Sequence, residues 1–407
     1  MAAKIALVVG ALATLNGYRP VKKGYLSVPS FIAGMVVTEL PLQTMVAHGA
    51  VIGATWRAQS PRMRWVSAIL SGACFAGLLG LNRVGRQANV PLTRALDEGL
   101  GPCRGPRSAS TVKAPGVLRT MRIWNEYAHD ADIVYGEHGS ANHLDVWSRP
   151  GPKPDGRAPV LLQIHGGAWS SGNKRGQAHP LMSHLVERGW VCVSINYRLS
   201  PHNTWPDAIV DVKKAIAWVK ANVEKYGGDP DFIAITGGSA GGHLSALAAL
   251  TPNDPDFQPG FEDADTAVQA AVPFYGVYDF TRTDGVLHPM MVPFLERGVM
   301  KRLIADAPEV FAGASPISHV TADAPPIFVL HGSNDSFIPV EQARAFAARL
   351  RAVSTSPVVY AELPVAQHAF DVFGSARAKH AAAAAELFLA EVRLRSTGTS
   401  LDTEPIQ

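Results

Sequence analysis

The sequence predicts an α/β protein, with a mostly parallel central sheet covered by helices on both faces and hydrophobic helices ahead of it. Three observations carry this expectation. From about residue 130 onward, short β-branched or apolar runs alternate with helical patterns, which is how parallel strands joined by covering helices are written. At 407 residues the chain exceeds a usual single domain, which suits one large α/β core with an appendage. The composition is 47% hydrophobic and only 17% charged, below the roughly 25% of ordinary soluble domains, so part of the surface must face something other than water.

The strand candidates are residues 160–164, 191–196, 232–236, 268–274, 327–330 and 358–362. Between the second and third, residues 206–226 place Ile209, Val212, Ile216, Val219 and Val223 three or four apart and end at Gly227-Gly228, an amphipathic helix with a stop signal. In such a sheet the connecting loops, and with them the active site, gather at the carboxyl ends of the strands.

The unusual apolar residues are concentrated in the first 86. Residues 65–81 hold no charged side chain and lie between Arg64 and Arg83. At about 1.5 Å per residue this is the lower limit for crossing the hydrocarbon layer, and it predicts a spanning helix. Residues 25–56 are also apolar but are interrupted by Pro29, Glu39 and Pro41. A carboxylate in lipid is costly unless paired, so this stretch is expected to span once or to lie re-entrant. Residues 5–17 have the length of a signal-peptide core, with Ala11-Leu12-Ala13 as a cleavage site, although Lys4 alone makes a poor charged leader. Residues 1–86 carry nine Lys/Arg against Glu39 alone, whereas the net charge of the chain is only +3. This asymmetry points to contact between the N-terminal part and anionic lipid headgroups, and away from nucleic-acid binding by the body. The expected location is therefore a cell membrane or envelope. Basic residues flank every candidate span, which leaves the side of the membrane open. The alternative is a helical subdomain packed on the rest of the protein.

Residues 87–129 read as linker and lead-in, punctuated by Gly101, Pro102, Gly105, Pro106, Ser108 and Ser110. Residues 130–395 form the catalytic body, with 281–314 either a small cap over the pocket or ordinary helix core, and 396–407 a flexible tail. Cys74, Cys103 and Cys192 are too few and too scattered for a disulfide framework or a zinc site. No H-E-x-x-H or comparable metal-ligand spacing occurs among the 14 histidines.

Three strand ends carry the chemistry. Strand 232–236 runs into Gly237-Gly238-Ser239-Ala240-Gly241-Gly242 and then a helical stretch at 243–250. This is G-x-S-x-G in the strand-turn-helix setting it needs: small neighbours let the backbone turn sharply and leave the Ser239 oxygen at the tip, before a helix N-terminus. A glycine-rich turn that binds phosphate is the competing reading. Strand 160–164 ends in His165-Gly166-Gly167-Ala168-Trp169. Acyl transfer needs donors aimed at a developing oxyanion, and a glycine pair lets N–H groups approach it. The amides of Gly167 and Ala240 are assigned to this hole, with Gly166 or Ala168 as neighbours. His165 is expected to hold the loop, and Trp169 either walls an acyl pocket or packs in the core.

Strand 327–330 leads to His331-Gly332-Ser333-Asn334-Asp335, and strand 358–362 to Gln367-His368-Ala369-Phe370. A serine hydroxyl is a poor nucleophile near neutrality, so an imidazole must take its proton and a carboxylate must hold that imidazole in the useful tautomer. Ser239, Asp335 and His368 are assigned as nucleophile, acid and base. Asp279, His288, His319 and His331 are the competing acid and bases, of which Asp279 is read as structural and His331 as a loop holder.

With these residues in place the sequence resembles the hormone-sensitive-lipase-like and feruloyl-esterase-like branch of the α/β-hydrolases, over about residues 130–395. The likeness rests on His165 to Trp169, on Asn196-Tyr197-Arg198-Leu199-Ser200-Pro201 with Trp205-Pro206-Asp207-Ala208, on the serine turn, and on the Asp335 and His368 segments. It implies a carboxylic-ester hydrolase that needs no cofactor. Gly238 stands where the hormone-sensitive-lipase-like pattern commonly has aspartate, which is closer to feruloyl-esterase-like and formamidase-like relatives. The hydrophobic N-terminus is similar to that of membrane-associated lipid esterases of actinobacteria. The expected activity is ester hydrolysis through a serine acyl-enzyme on short- to medium-chain or lipid-like esters. An arylformamidase-like amide hydrolase and a non-catalytic, membrane-tethered binding module are the alternatives.

Overall fold

The computed structural model describes residues 2–101, 117–120, 122–151, 157–281 and 287–397. Cys103, most of the punctuated part of the expected linker, positions 282–286 of the expected cap and nearly all of the expected tail lie outside them.

The body is built on an eight-stranded sheet in the order β1-β2-β4-β3-β5-β6-β7-β8. The strands are β1 (Asp130–Val134), β2 (His143–Trp147), β3 (Ala158–Ile164), β4 (Val191–Ile195), β5 (Gly228–Gly238), β6 (Ala270–Phe274), β7 (Ile327–Gly332) and β8 (Val358–Leu363). β1 and β2 join antiparallel at one edge, and every pairing from β4 to β8 is parallel. All residues of β3, β4, β6 and β7 are buried. Their near-continuous apolar runs follow from burial on both faces, which removes the alternation of a half-exposed strand. The helix Asp207–Asn222 buries Ile209, Val212, Ile216 and Val219 against the sheet.

The topology places the site. The chain goes from β3 to β4 on one side and returns to β5 on the other, so the loops after β3 and β5 diverge from neighbouring strand ends, where open α/β sheets hold their ligands. Ile164 pairs with Gly237, which sets the loop beginning at His165 beside Ser239. At the far side Gly332 pairs with Leu363, so the segments carrying Asp335 and His368 leave the sheet together.

The N-terminal region is a layer of helices: α1 (Ala2–Tyr18), α2 (Ser27–Glu39), α3 (Pro41–Thr55) and α4 (Pro61–Arg86). α2 and α3 meet at a bend of 98°. Polar pairs tie the layer together, with His48 Nε2 3.0 Å from Ser71 Oγ, Ser67 Oγ donating to Gln59 Oε1 at 2.7 Å, and Asn16 Nδ2 donating to the Ser30 carbonyl at 2.8 Å. One side of the layer is docked on the catalytic body. Lys22 Nζ donates to the Ser333 carbonyl at 2.7 Å, Asn334 Nδ2 to the Gly17 and Tyr18 carbonyls at 3.1 Å, and Ser336 Oγ to the Ser27 carbonyl at 3.2 Å. Glu39 is buried against Arg377. The other side is apolar and exposed: Ile5, Val8, Val9, Leu12 and Leu15 form a helical stripe on α1, and Trp65, Ile69 and Leu70 stand out on α4.

One expected boundary shifts. The first part of the expected linker is helix α5 (Asn89–Leu100), which buries Leu92, Ala95, Leu96 and Leu100 in the core shared with β8 and the alanine-rich helix Ala376–Thr397. The spacing of these four residues matches a helical face, and burial against small alanines outweighs the local breakers Gly99 and Gly101.

Candidate active site

Ser239 sits between β5 and the helix Ala240–Leu250 with φ 58° and ψ −119°. A serine held in this sparsely populated region is under local strain of about 1–3 kcal/mol, sustained by what surrounds it. Here its N–H donates to the Phe274 carbonyl at 3.0 Å, and its carbonyl accepts the His243 N–H at 2.9 Å, opening the helix. The side chain lies at the positive end of that helix, in a cavity of about 270 Å³ that Gly167, Tyr275, Phe337 and His368 also line.

His368 is buried, and its Nδ1 lies 2.7 Å from Asp335 Oδ2. The other carboxylate oxygen of Asp335 accepts the backbone N–H groups of Phe337 at 2.9 Å and Ile338 at 2.7 Å. His331 Nε2 is 3.2 Å from Oδ2 and donates to the Ile338 carbonyl at 3.1 Å. Burial alone would raise the Asp335 carboxyl, but His368 and the hydrogen bond from His331 outweigh it and hold it well below the usual carboxylate range. Gln367 locks the two loops together: its Oε1 accepts the N–H of Ser336 at 2.8 Å and of His368 at 3.0 Å. The structure thus brings Ser239, Asp335 and His368 together at the carboxyl ends of β5, β7 and β8.

The loop after β3 meets the expectation only in part. Gly167 has φ +125°, a conformation side chains rarely adopt, and lines the Ser239 cavity. The Gly166 N–H is taken, because it donates to Gln177 Oε1 at 2.7 Å. This corrects its place among the expected oxyanion donors. Trp169 is in the core, not in the cavity: Nε1 donates to His243 Nδ1 at 3.1 Å, and the ring packs edge-on against His243 and Phe280. His165 holds the loop, with Nδ1 donating to the Gly166 carbonyl at 2.8 Å and its ring stacked on Tyr197. Burial depresses the His165 imidazole to about 4, so it is neutral and no base for this site at ordinary pH. Asp279 accepts from Thr281, and His319 Nε2 donates to the Gly313 carbonyl at 2.8 Å, both structural bonds. The Arg198 guanidinium binds Asp211 and Asp207 and so anchors the helix Asp207–Asn222.

Gly238 has a spatial reason. A Cβ there would stand 2.6 Å from Tyr275 Oη, and that ring is buried with its hydroxyl bonded to Asp371. The tyrosine occupies the space a side chain would need. Gly238→Asp is therefore expected to cost about 1–3 kcal/mol by overpacking. Thermal denaturation checks this, and a melting temperature equal to wild type would refute the explanation.

Sequence reasoning did not find Phe31, Gln177, Tyr275 or Phe337. Phe31, on α2, lines the Ser239 cavity, stacks on Phe337 at 5.7 Å and meets His368 edge-on at 5.4 Å. It comes from the layer that the sequence assigns to the membrane, and no motif marks it.

Comparison with known proteins places the chain among esterases. The BD-FAE family matches residues 144–350. The chain is 60% identical over 401 residues to the probable carboxylic ester hydrolase LipM of Mycobacterium tuberculosis, covering 96% of this chain and 93% of that protein. It is 57% identical over 380 residues to esterase LipQ of the same organism, covering 90% and 86%. Among solved structures, the butyrate-bound esterase Est2 of Thermogutta terrifontis superimposes with a TM-score of 0.55 at 25% identity, covering 68% of this chain and 97% of that one. Fold and relatives together define an ester hydrolase of the α/β-hydrolase class. Within that class, the chain belongs to the BD-FAE family.

Proposed function

We propose that this chain hydrolyses carboxylic esters through an acyl-enzyme on Ser239, with His368 as general base and acid and Asp335 as its orienting carboxylate. The observation that carries this reading is a strained serine sharing a cavity with a histidine whose far nitrogen lies 2.7 Å from a buried carboxylate. Ser239 Oγ attacks the ester carbonyl while His368 Nε2 takes its proton. The carbonyl oxygen becomes an oxyanion facing the Gly167 and Ala240 N–H groups, each such donor being worth about 2.7–4 kcal/mol at the transition state. Collapse breaks the bond to the alcohol oxygen, which leaves with the proton from His368. Water, deprotonated by the same imidazole, then attacks the acyl-serine and releases the acid. The acyl groups are short to medium, or lipid-like.

The same reading places the protein at a cell membrane or envelope. The helical run Pro61–Leu100 is long and apolar enough to cross a bilayer, with 28% of its most apolar window buried in the protein. The outward stripes on α1 and α4 are the contiguous apolar surface that a soluble monomer rarely exposes. Nine basic residues among the first 86 suit anionic headgroups.

The test is the full-length protein in detergent, with p-nitrophenyl esters and a fluorophosphonate probe. Wild type is expected to turn over esters and to be labelled once, at Ser239. Ser239→Ala is expected to lose at least about 10³-fold in kcat and all labelling. Labelling at another residue, or an active Ser239→Ala enzyme, would overturn the assignment.

A further inference from the structure

We propose that the acyl chain of the ester lies in an apolar cavity walled by helix α2, so that the N-terminal helices form part of the substrate site. This rests on the ester-hydrolase reading above and adds where the chain goes and what sets its length.

A chamber of about 170 Å³ adjoins the Ser239 cavity. Ala168 and Phe337 line both, so the two spaces share a wall. Met290, Met291 and Phe294 of the segment after β6 and Val28 of α2 line the rest of it, with Ser27 and His288. Phe31, one turn beyond Val28, packs against both Phe337 and His368 and lines the Ser239 cavity. The Ser239 cavity carries most of the polar side chains, while the chamber is lined mainly by hydrocarbon apart from Ser27 and His288, which is the distribution an acyl ester needs, with its carbonyl at the serine and its tail in the chamber. Unbranched methionines adapt to a flexible chain better than branched residues do.

The larger space of about 480 Å³ near Asp335 is a poor rival, because Lys22, Lys23 and Glu341 line it and would lose hydration to a hydrocarbon chain. At about 30 Å³ for each water-sized group, the 170 Å³ chamber holds about six carbons. Each buried methylene should raise kcat/KM about fourfold until the chamber is full. Val28 and Phe31 lie outside residues 144–350, which match the family, so the determinants of chain length are carried partly by the appended helices.

The experiment is the chain-length profile of full-length protein in detergent, on p-nitrophenyl esters from acetate to dodecanoate. Wild type is expected to peak near a chain of about six to eight carbons. Val28→Phe, which takes up the space of about two methylenes, should lower the ratio of octanoate to acetate kcat/KM at least about tenfold. Met291→Ala should move the optimum to longer chains. Val46→Phe, on the exposed face of α3, serves as a control and should keep the wild-type profile. Folded Val28→Phe and Met291→Ala enzymes that both keep the wild-type profile would overturn the proposal. If only one folds, its profile decides alone. A folded wild type that hydrolyses none of the esters would overturn the ester-hydrolase reading itself, and the acyl chamber with it.

Discussion

Asp335→Asn should lower kcat on p-nitrophenyl esters by about 10⁴-fold while the protein stays folded. The reason lies in how the carboxylate is held. Oδ1 accepts two backbone N–H groups, from Phe337 and Ile338, and Oδ2 faces His368 Nδ1. An asparagine in this place keeps its carbonyl oxygen on the two amides, because an NH2 group there would face two donors. Its NH2 then points at His368 and makes Nδ1 the acceptor, which puts the ring proton on Nε2, the atom that must receive the serine proton. The NH2 group also meets His331 Nε2, a donor to the Ile338 carbonyl. Stability should respond to acid in a defined direction. The Asp335 carboxyl is depressed in the folded protein, so its ionised form stabilises the fold above its unfolded pKa of about 3.9, and that contribution fades as pH falls toward the folded value. The gap in melting temperature between wild type and Asp335→Asn should accordingly narrow below about pH 4. Steady-state kinetics and thermal scans across pH check both statements. A loss in kcat of less than about tenfold would remove Asp335 from its proposed role.

The central sheet could be read from the sequence because β3, β4, β6 and β7 are buried on both faces and so appear as unbroken apolar runs. β1 escaped notice for the opposite reason, and β2, though buried from Leu144 to Trp147, has its apolar residues interrupted by Asp145. They are the antiparallel edge, and β1, with the sequence DADIV, has no buried residue and no apolar run. The loops around Ser239, Asp335 and His368 were legible because each follows a recognisable strand and carries residue types that the chemistry requires. Gly166 illustrates the limit of such reading. A glycine pair after a strand suggests two available amides, but whether one is already bonded depends on Gln177, eleven residues away and in no motif. Trp169 shows the same limit, since core and pocket walls call for the same ring, and only the position of His243 decides between them. The contribution of α2 to the site was invisible for a stronger reason: Phe31 and Val28 sit in an apolar helix whose composition already has an explanation in lipid.

Glu39→Ala is expected to destabilise the protein by about 3–5 kcal/mol, the largest stability effect of any single change proposed for it. Glu39 is the only acid in the first 86 residues and lies where α2 turns into α3. It pairs with the buried guanidinium of Arg377, and its second oxygen accepts Ser375 Oγ at 2.8 Å. Removing the carboxylate leaves a positive charge inside the protein whose remaining bond among the described residues is a 3.4 Å contact with the Pro364 carbonyl. A charge in that position can be neutralised only by moving α2 or the start of the helix Ala376–Thr397 toward water. The double change Glu39→Leu with Arg377→Met should recover most of the loss, because replacing a buried pair by apolar side chains is often neutral. Thermal denaturation of the full-length variants in detergent measures both, and a Glu39→Ala protein as stable as wild type would show the pair to be dispensable. The pair also explains why an apolar layer keeps one carboxylate. It fastens α2, with Val28 and Phe31, to the segment that carries His368, so a variant in which the pair is broken should lose activity on longer esters before it unfolds.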